Sequence, residues 1–467
     1  MIGPFSHRNK GVLAMRIFTF STCLIVFLLV SHLGVHAQEP APIIGNGNQS
    51  TLPGNTAHHL YLPAIALERT VFYVDGSNGA DTNPGTQERP WQTVEHAIAT
   101  IRPGSTVIIA NGIYRIDSIR FGPAGIGPDQ LTTFKAADGA RVIFSKVDDA
   151  APKITIADYV RLESLWFGGR WKAETAEMFG TGGSPIGRGK QLINNTLFGY
   201  PDGISQGSAE HILYQGNRFV LNGNGKYSHP IYLSSGGPIG SRSQHNIVDG
   251  NIFIGGEGWA IHGWHGPRNH VITRNFTAGH YHSLVMDGSD HLIANNFFWR
   301  PNGEPGKTPY NAWLPGANIV TVNNIFAHAI GIVGVGPNAT VRDNAFLNSN
   351  PVGETPVTFT VGDEASQLGI SAAEIDAAIA DLEAAFSQPV ESIFADESIE
   401  PAFAKLKLTI PDGSTLYKRS HAWYNPSLLA NIGPDAPTPG TLEQFWVGFR
   451  ALGFQEYDRF GEIIGDD

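Results

Sequence analysis

The chain has 467 residues, with 55 glycines and 30 prolines, and only 16% of it is charged against a usual ~25%. Apolar residues at 42% and aromatics at 10% exclude a disordered chain, a coiled coil and a helical bundle, and fit many short strands joined by tight turns. The net charge of −11 argues against a nucleic-acid partner, because phosphates demand a basic surface.

Residues 1–37 read as a signal peptide. Arg8, Lys10 and Arg16 form a basic start, Ile17 to Val30 is an uncharged and mostly apolar run, and Val35-His36-Ala37 supplies the small residues of a cleavage site. Met15 as the true start would leave this reading unchanged. The apolar run is short for a membrane span of about 20 residues. The expected product is secreted and has no membrane span after cleavage. Cys23 is the only cysteine and leaves with the signal, so the mature chain has no disulfide and no cysteine metal site. Loss of three positive charges moves the net charge to −14. Residues 38–68, rich in Pro, Gly, Asn and Ser, read as a flexible leader.

A folded unit then begins. Val71 to Val74 is a strand by β-propensity. Asp75 to Thr86 is a dense turn, whose acids miss the spacing of a calcium loop and read as structural. Pro90 to Ile101 places Val94, Ala97, Ile98 and Ile101 on one face of a helix, ended by Pro103-Gly104. Val107 to Ile109 is a buried strand. A single amphipathic helix followed only by strands is what the open end of a β-stack needs as a cover.

The informative feature is a repeat. An Asn followed closely by apolar or aromatic residues recurs at Asn195, Asn217, Asn251, Asn275, Asn296, Asn324 and Asn344, spaced by 22, 34, 24, 21, 28 and 20 residues. That period fits one coil of a parallel β-helix, with loops inserted in the longer coils. One Asn per coil can sit at an inward turn and hydrogen-bond the next, forming a ladder. The Leu-x-x-Leu-x-Leu frame of leucine-rich repeats is absent, and a propeller needs about 40 residues per blade.

The stretch from Phe72 to Arg115, with the Asn ladder after it, resembles secreted right-handed parallel β-helix proteins related to polysaccharide lyases, the pectate lyase-like superfamily. The resemblance spans roughly residues 70–350 and implies an all-β, right-handed parallel β-helix that acts on or binds an extracellular polysaccharide. It does not extend to the reaction. Polygalacturonases carry paired aspartates and a Gly-His-Gly segment, where this chain has only Ile261-His-Gly-Trp-His-Gly-Pro267. The Arg-x-Pro-x-x-Arg segment of the main pectate lyase family is missing.

Candidate site residues come from clustering. Eight of the 17 histidines, namely His229, His245, His262, His265, His270, His280, His282 and His291, fall in a stretch where an even spread would put between two and three. Aligning the coils by their Asn turns Ile231, Ile261, Leu284 and Ile332 inward. Alternation then puts Tyr232, His262, Val285 and Trp313 outward in one column, and Ser234, Trp264, Asp287 and Pro315 in the next. Aromatic faces suit sugar rings, and His, Asp and Tyr move protons. The expected catalytic set is His229, Tyr232, His262 and Asp287. The expected substrate-binding set is Lys226, Trp264, His265, His282, Arg300 and Trp313.

The chemistry expected is β-elimination on a uronic-acid glycan, with His229 or His262 as base, Tyr232 as acid, and Lys226, Arg274 or Arg300 facing the carboxylate. The rivals are a glycosidase pairing Asp287 with Glu257 or Asp249, and a non-catalytic glycan-binding surface protein. His262-x-x-His265 and His280-x-His282 have metal-like spacing without a carboxylate set, so no metal or cofactor is assigned. Calcium bridging an acidic sugar through Asp287 and Asp290 is the one alternative. The chain is expected to act as a monomer.

Beyond Asn344 the pattern changes. Ser371 to Phe386 is an acidic helix with Ser371 and Glu374 as a capping box and Ile375, Ile379, Leu382 and Phe386 as its apolar stripe. A strand from Lys405 to Ile410 and a helix from Thr441 to Leu452 are expected further on. The boundaries are therefore 1–37 signal, 38–68 leader, 69–350 β-helix and 351–467 C-terminal coils and an α/β capping segment. Cleavage after Ala37 makes Gln38 the first residue of the exported protein. Mass spectrometry of secreted material checks this, and a retained Ala37 contradicts it.

Overall fold

The computed structural model describes residues 70–406 apart from 129, 183–185, 235–242, 323, 343, 348, 350–356 and 360–369. The signal peptide, the leader and the helix expected at 441–452 lie outside the described residues. Strands pair in parallel throughout three long sheets. Sheet 1 has 11 strands, from Val71–Val74 to Thr340–Arg342, sheet 2 has 11, from Gly112–Arg115 to Val357–Phe359, and sheet 3 has 9, from Ser118–Phe121 to Ile330–Val333. The chain visits sheets 1, 2 and 3 in turn and then starts the next coil, which makes a right-handed parallel β-helix.

The ladder is present and continuous from Asn195 to Asn344. Each Asn is buried at the turn from sheet 1 into sheet 2. The Oδ1 of Asn251 accepts from the backbone N–H of Asn217 at 2.8 Å and from its Nδ2 at 3.0 Å. The Nδ2 of Asn251 donates in turn to the Tyr214 carbonyl and to the Asn275 Oδ1, both at 2.9 Å. The same pattern repeats at Asn195, Asn275, Asn296 and Asn324. The residue before each of the rungs Asn195, Asn217, Asn251, Asn275 and Asn296 turns the chain through the left-handed region, with φ of 54° at Asn194, 65° at Gly216, 63° at Gly250, 56° at Arg274 and 59° at Asn295. Asn and Gly tolerate that conformation best.

Inside the coil, side chains stack on their counterparts one coil away. Ile231, Ile261, Leu284, Ala312 and Ile332 are in register and buried. Phe144 stacks on Phe167, Phe219 on Phe253, and Phe298 on Phe326. At the N-terminal end, helix α1 (Val94–Thr100) buries Val94 and Ala97 into this core. The Asp75–Thr86 turn is structural: Asp75 caps the N–H groups of Ser77 and Asn78, and Asp81 holds Thr93, the N-cap of α1.

The outer face of sheet 2 is apolar as well. Ile143, Trp166, Phe198, Val220, Ile254 and Trp299 lie under the buried side of α2 (Ala372–Phe386), with α3 (Val390–Ala395) and α4 (Ile399–Leu406) beside it. A strand buried on both faces loses its polar alternation, as these runs do. The capping box of Ser371 and Glu374 forms, and Ile375, Ala378, Leu382 and Phe386 make the contact. Arg141 donates to the carbonyls of Ile393, Phe394 and Asp396, and Arg218 pairs with Glu400. Lys405, expected to open a strand, lies in α4, because Ile399, Ala402, Phe403 and Leu406 give that segment a helical apolar face.

Replacing Asn251 by Ala leaves the buried Asn217 amide without its acceptor and removes one bond each from Asn217 Nδ2, Asn275 Oδ1 and the Tyr214 carbonyl. At about 1–3 kcal/mol for the unsatisfied amide and about 1 kcal/mol for each further bond, the loss should reach about 3 kcal/mol or more in urea denaturation. A loss under about 1 kcal/mol would mean that the rungs are not structural.

Candidate functional site

The outer face of sheet 3 carries the expected columns. Register pairs Tyr232 with His262, His262 with Val285 and Val285 with Trp313, and places Ser234 against Trp264. Val285 is fully buried beneath the rings around it. Strict alternation fails at the start of the strand Trp259–Trp264. Ala260 and Ile261 both enter the core, so Trp259 joins the outward rings. Sequence reading missed Trp259 and Tyr310 for that reason; the usable signal was a three-residue step from Trp259 to His262.

The rings form one connected surface. Tyr232 stacks on His262 at 4.8 Å and 17°, and Trp264 lies 5.2 Å from Trp313. Trp259 sits 4.6 Å from His282, which stacks on Tyr310 at 3.6 Å and 15°. Tyr232, His262, Trp264, Tyr310 and Trp313 are partly exposed, while His229, Trp259 and His282 are buried behind them.

His229 lies under His262. Its Nδ1 accepts the backbone N–H of Trp259 at 3.1 Å, and its Nε2 meets the Nδ1 of His262 in a short contact. Gly258 lets this happen: its φ is +76°, and a Cβ there would stand 1.9 Å from the Ser228 carbonyl oxygen. The His229 amide is anchored by Asp202 Oδ1 at 3.0 Å. Burial pushes the Asp202 carboxyl up. Burial, and then neighbouring His262, pushes His229 down to about 2. Burial and His265 push His262 down to about 3, burial alone takes His280 to about 3, and mainly burial takes His282 to about 4. These rings are neutral imidazoles at neutral pH.

A charged rim borders the rings. Glu304 is shared by Lys226 at 3.1 Å and Lys307 at 2.9 Å, so the trio carries one surplus positive charge. Its charges act on His282 and Tyr310. Sequence reading found Lys226 but not Glu304 or Lys307, which arrive on a loop. Asp287 is half-buried, one position beyond Met286, and its amide donates to the Gly263 carbonyl at 2.8 Å. His265 is exposed at the turn that follows Trp264, with φ of 68°.

Several expected residues are elsewhere. Arg300 follows sheet 2 and pairs with Asp376 of α2 at 2.8 Å, so it is not brought to the rings of sheet 3. Arg274 and Asp249 pair with each other at sheet 1, which removes one from the carboxylate-binding set and the other from the glycosidase pair. His270 and His291 serve a second turn ladder: the amides of Asn246 and His270 donate to Nδ1 of His270 and His291, each at 3.2 Å. His245 sits beside it in a left-handed turn with φ of 54°, bonded to Asn269. Histidine replaces asparagine there because its Nδ1 accepts an amide as Oδ1 does. Asp290 accepts from Asn318 and Ser289. Among the described residues, no three His, Cys, Asp or Glu side chains gather as a metal site. Nor is any described helix long and apolar enough to cross a membrane.

A family model described as a protein of unknown function, DUF1565, matches residues 77–142. No curated protein matches the chain. Among solved structures, the pectate lyase Pel9A is similar at 13% identity and a TM-score of 0.44, over 65% of this chain and 85% of its own. The PL6 family alginate lyase AlyGC is similar at 17% identity and 0.40, over 56% and 38%. PfbA, a surface adhesin of Streptococcus pneumoniae, is similar at 14% identity and 0.37, over 57% and 77%. None of these likenesses carries a substrate or a reaction to this chain.

The buried neutral histidines make stability pH-dependent with a definite sign. His229, His262, His280, His282 and His291 have folded values of about 2 to about 4, below the free value of 6.5. Between those values the unfolded chain binds more protons. Stability is therefore complete above pH 6.5 and lost as pH falls toward 4, by about 1.4 kcal/mol per histidine per pH unit. Thermal melts at pH 7, 6 and 5 should show a steep fall in Tm; an unchanged Tm at pH 5 would mean that these rings are not buried neutral.

Proposed function

We propose that the protein is a secreted, carbohydrate-active β-helix protein that cleaves a uronic-acid-containing polysaccharide by β-elimination. One observation carries this reading: a partly exposed wall of aromatic rings around His262, bordered by two lysines that share a single carboxylate. Aromatic faces bind the apolar faces of sugar rings, and a locally positive rim favours an acidic sugar whatever the net charge of the protein.

In this reading Tyr232, Trp264 and Trp313 hold sugar rings, and Lys226 and Lys307 draw in the uronate carboxylate. Asp287 takes the proton from the carbon next to that carboxylate. The electron pair left behind forms the double bond as the bond to the glycosidic oxygen breaks. Tyr232 delivers a proton to that leaving oxygen, and the proton on Asp287 returns through solvent. His229 is not the base, because both of its nitrogens are engaged and it is 1% exposed.

Hydrolysis would need two carboxylates about 5–10 Å apart. Near the groove, Glu304 is held by two lysines and Glu257 by Lys172 at 2.7 Å. Two of the carboxylates beside the rings are thus neutralised by lysine, which favours elimination.

The test is incubation with a panel of uronic-acid and neutral polysaccharides. New ultraviolet absorbance from a conjugated double bond is expected with an acidic polymer and is lost in Asp287→Asn. Reducing ends without that absorbance would establish hydrolysis instead. Binding without any product would leave a non-catalytic glycan-binding surface.

A further inference from the structure

We infer that His262 enters the groove as a locked neutral hydrogen-bond donor through Nε2–H, aimed at an oxygen of the bound sugar, and is not the proton acceptor of the reaction. The inference deepens the proposed function and rests on it for the identity of the ligand. The direction of the proton does not depend on that reading.

The chain of contacts begins at a group whose role is never ambiguous. A backbone N–H can only donate. The amide of Trp259 points at Nδ1 of His229, so that nitrogen must carry the lone pair. A neutral imidazole has one proton, which is then on Nε2 of His229. That proton faces Nδ1 of His262, so Nδ1 of His262 accepts. The remaining proton of His262 is therefore on Nε2. The reverse arrangement would need His229 without any proton, an imidazolate facing no cation.

The surroundings keep both rings in this state. His229 is buried beneath His262, and His280, also buried, has neither nitrogen bonded and adds no anion. Asp202 meets the backbone amide of His229 through Oδ1. On the outer side His262 faces the Tyr232 ring, Trp259 and Trp264, with His265 further along its own strand. Burial opposes a second proton on either ring. Among the described residues no protein group takes Nε2 of His262, and that atom is not buried.

A neutral N–H in a half-dry aromatic groove suits an oxygen that gains negative charge. In the elimination reading, that is a carboxylate oxygen of the uronate, whose charge grows as the neighbouring carbon loses its proton. The donor needs no proton transfer of its own and no reorganisation. Switching Nε2 into an acceptor would break the Trp259 contact, which is why the role is fixed by the backbone.

The test is long-range proton–nitrogen NMR on protein labelled in the histidine ring nitrogens. His262→Asn identifies the His262 signals and keeps an acceptor for His229; if that variant does not fold, Tyr232→Leu identifies them through the lost ring current of the stacked ring. From pH 8 to 6 both rings should report a bare Nδ1 and a protonated Nε2. A proton on Nδ1 of His262, or two protons on either ring at pH 6, overturns the inference. A second arm titrates wild-type protein with oligogalacturonate and oligomannuronate at pH 6 and 8. Where either binds, the Nε2–H proton should move downfield and the Kd should change less than about threefold with pH. A Kd at least tenfold tighter at pH 6 would make His262 a cationic partner and overturn it. Absence of cleavage in every polymer would defeat the elimination reading while leaving the tautomer result standing.

Discussion

The stack depends on what happens to backbone amides at the inward turn of each coil. Where sheet 1 gives way to sheet 2, the chain must turn inside the core, and the N–H groups there would otherwise be orphaned. A buried amide without a partner costs more than a typical hydrogen bond returns. The Asn side chain resolves this: its oxygen accepts from the amide of the preceding coil, and its two N–H groups donate to a carbonyl of that coil and to the rung of the next. Because every rung points the same way, the amide dipoles add along the axis. Apolar stacking fills the interior, while the ladder fixes which residue lies over which.

That fixed register gathers the rings of the candidate site on sheet 3. Tyr232 and His262 meet because Ile231 and Ile261 are in line behind them. The rings then form a surface that no single strand encodes. Sheet 2 is closed off by the C-terminal helices, held by apolar contact and by Arg141, Arg115 and Arg218. Among the described residues, the rings on sheet 3 stay partly exposed.

The coil period was legible because asparagine has no other reason to recur before apolar pairs at such spacing. The strand-to-strand register at 231, 261 and 284 was legible for the same reason. The histidine cluster was only half legible. His262 does reach the exposed ring surface and His282 packs behind it, but His270 and His291 recur because imidazole can stand in for asparagine at a turn. Composition cannot separate those uses. Arg300 was misplaced because it follows Trp299 on the strand that α2 covers, and its partner Asp376 lies 76 residues away. Long-range pairing of that kind leaves no local trace. Trp259 was missed because two successive inward residues break the period of two.

The rungs are indifferent to what lies between them. Asn217 and Asn251 are 34 residues apart and bond at 2.8 and 3.0 Å, whereas Asn275 and Asn296 are 21 apart and bond at 3.0 and 2.9 Å. Thirteen extra residues leave the rung unchanged, as expected if loop length enters stability only logarithmically. The scaffold is therefore modular in a practical sense. Segments flanking sheet 3 can be exchanged between coils, or grafted from another solenoid, without renegotiating the axis, so a change of ligand preference need not begin with a change of fold.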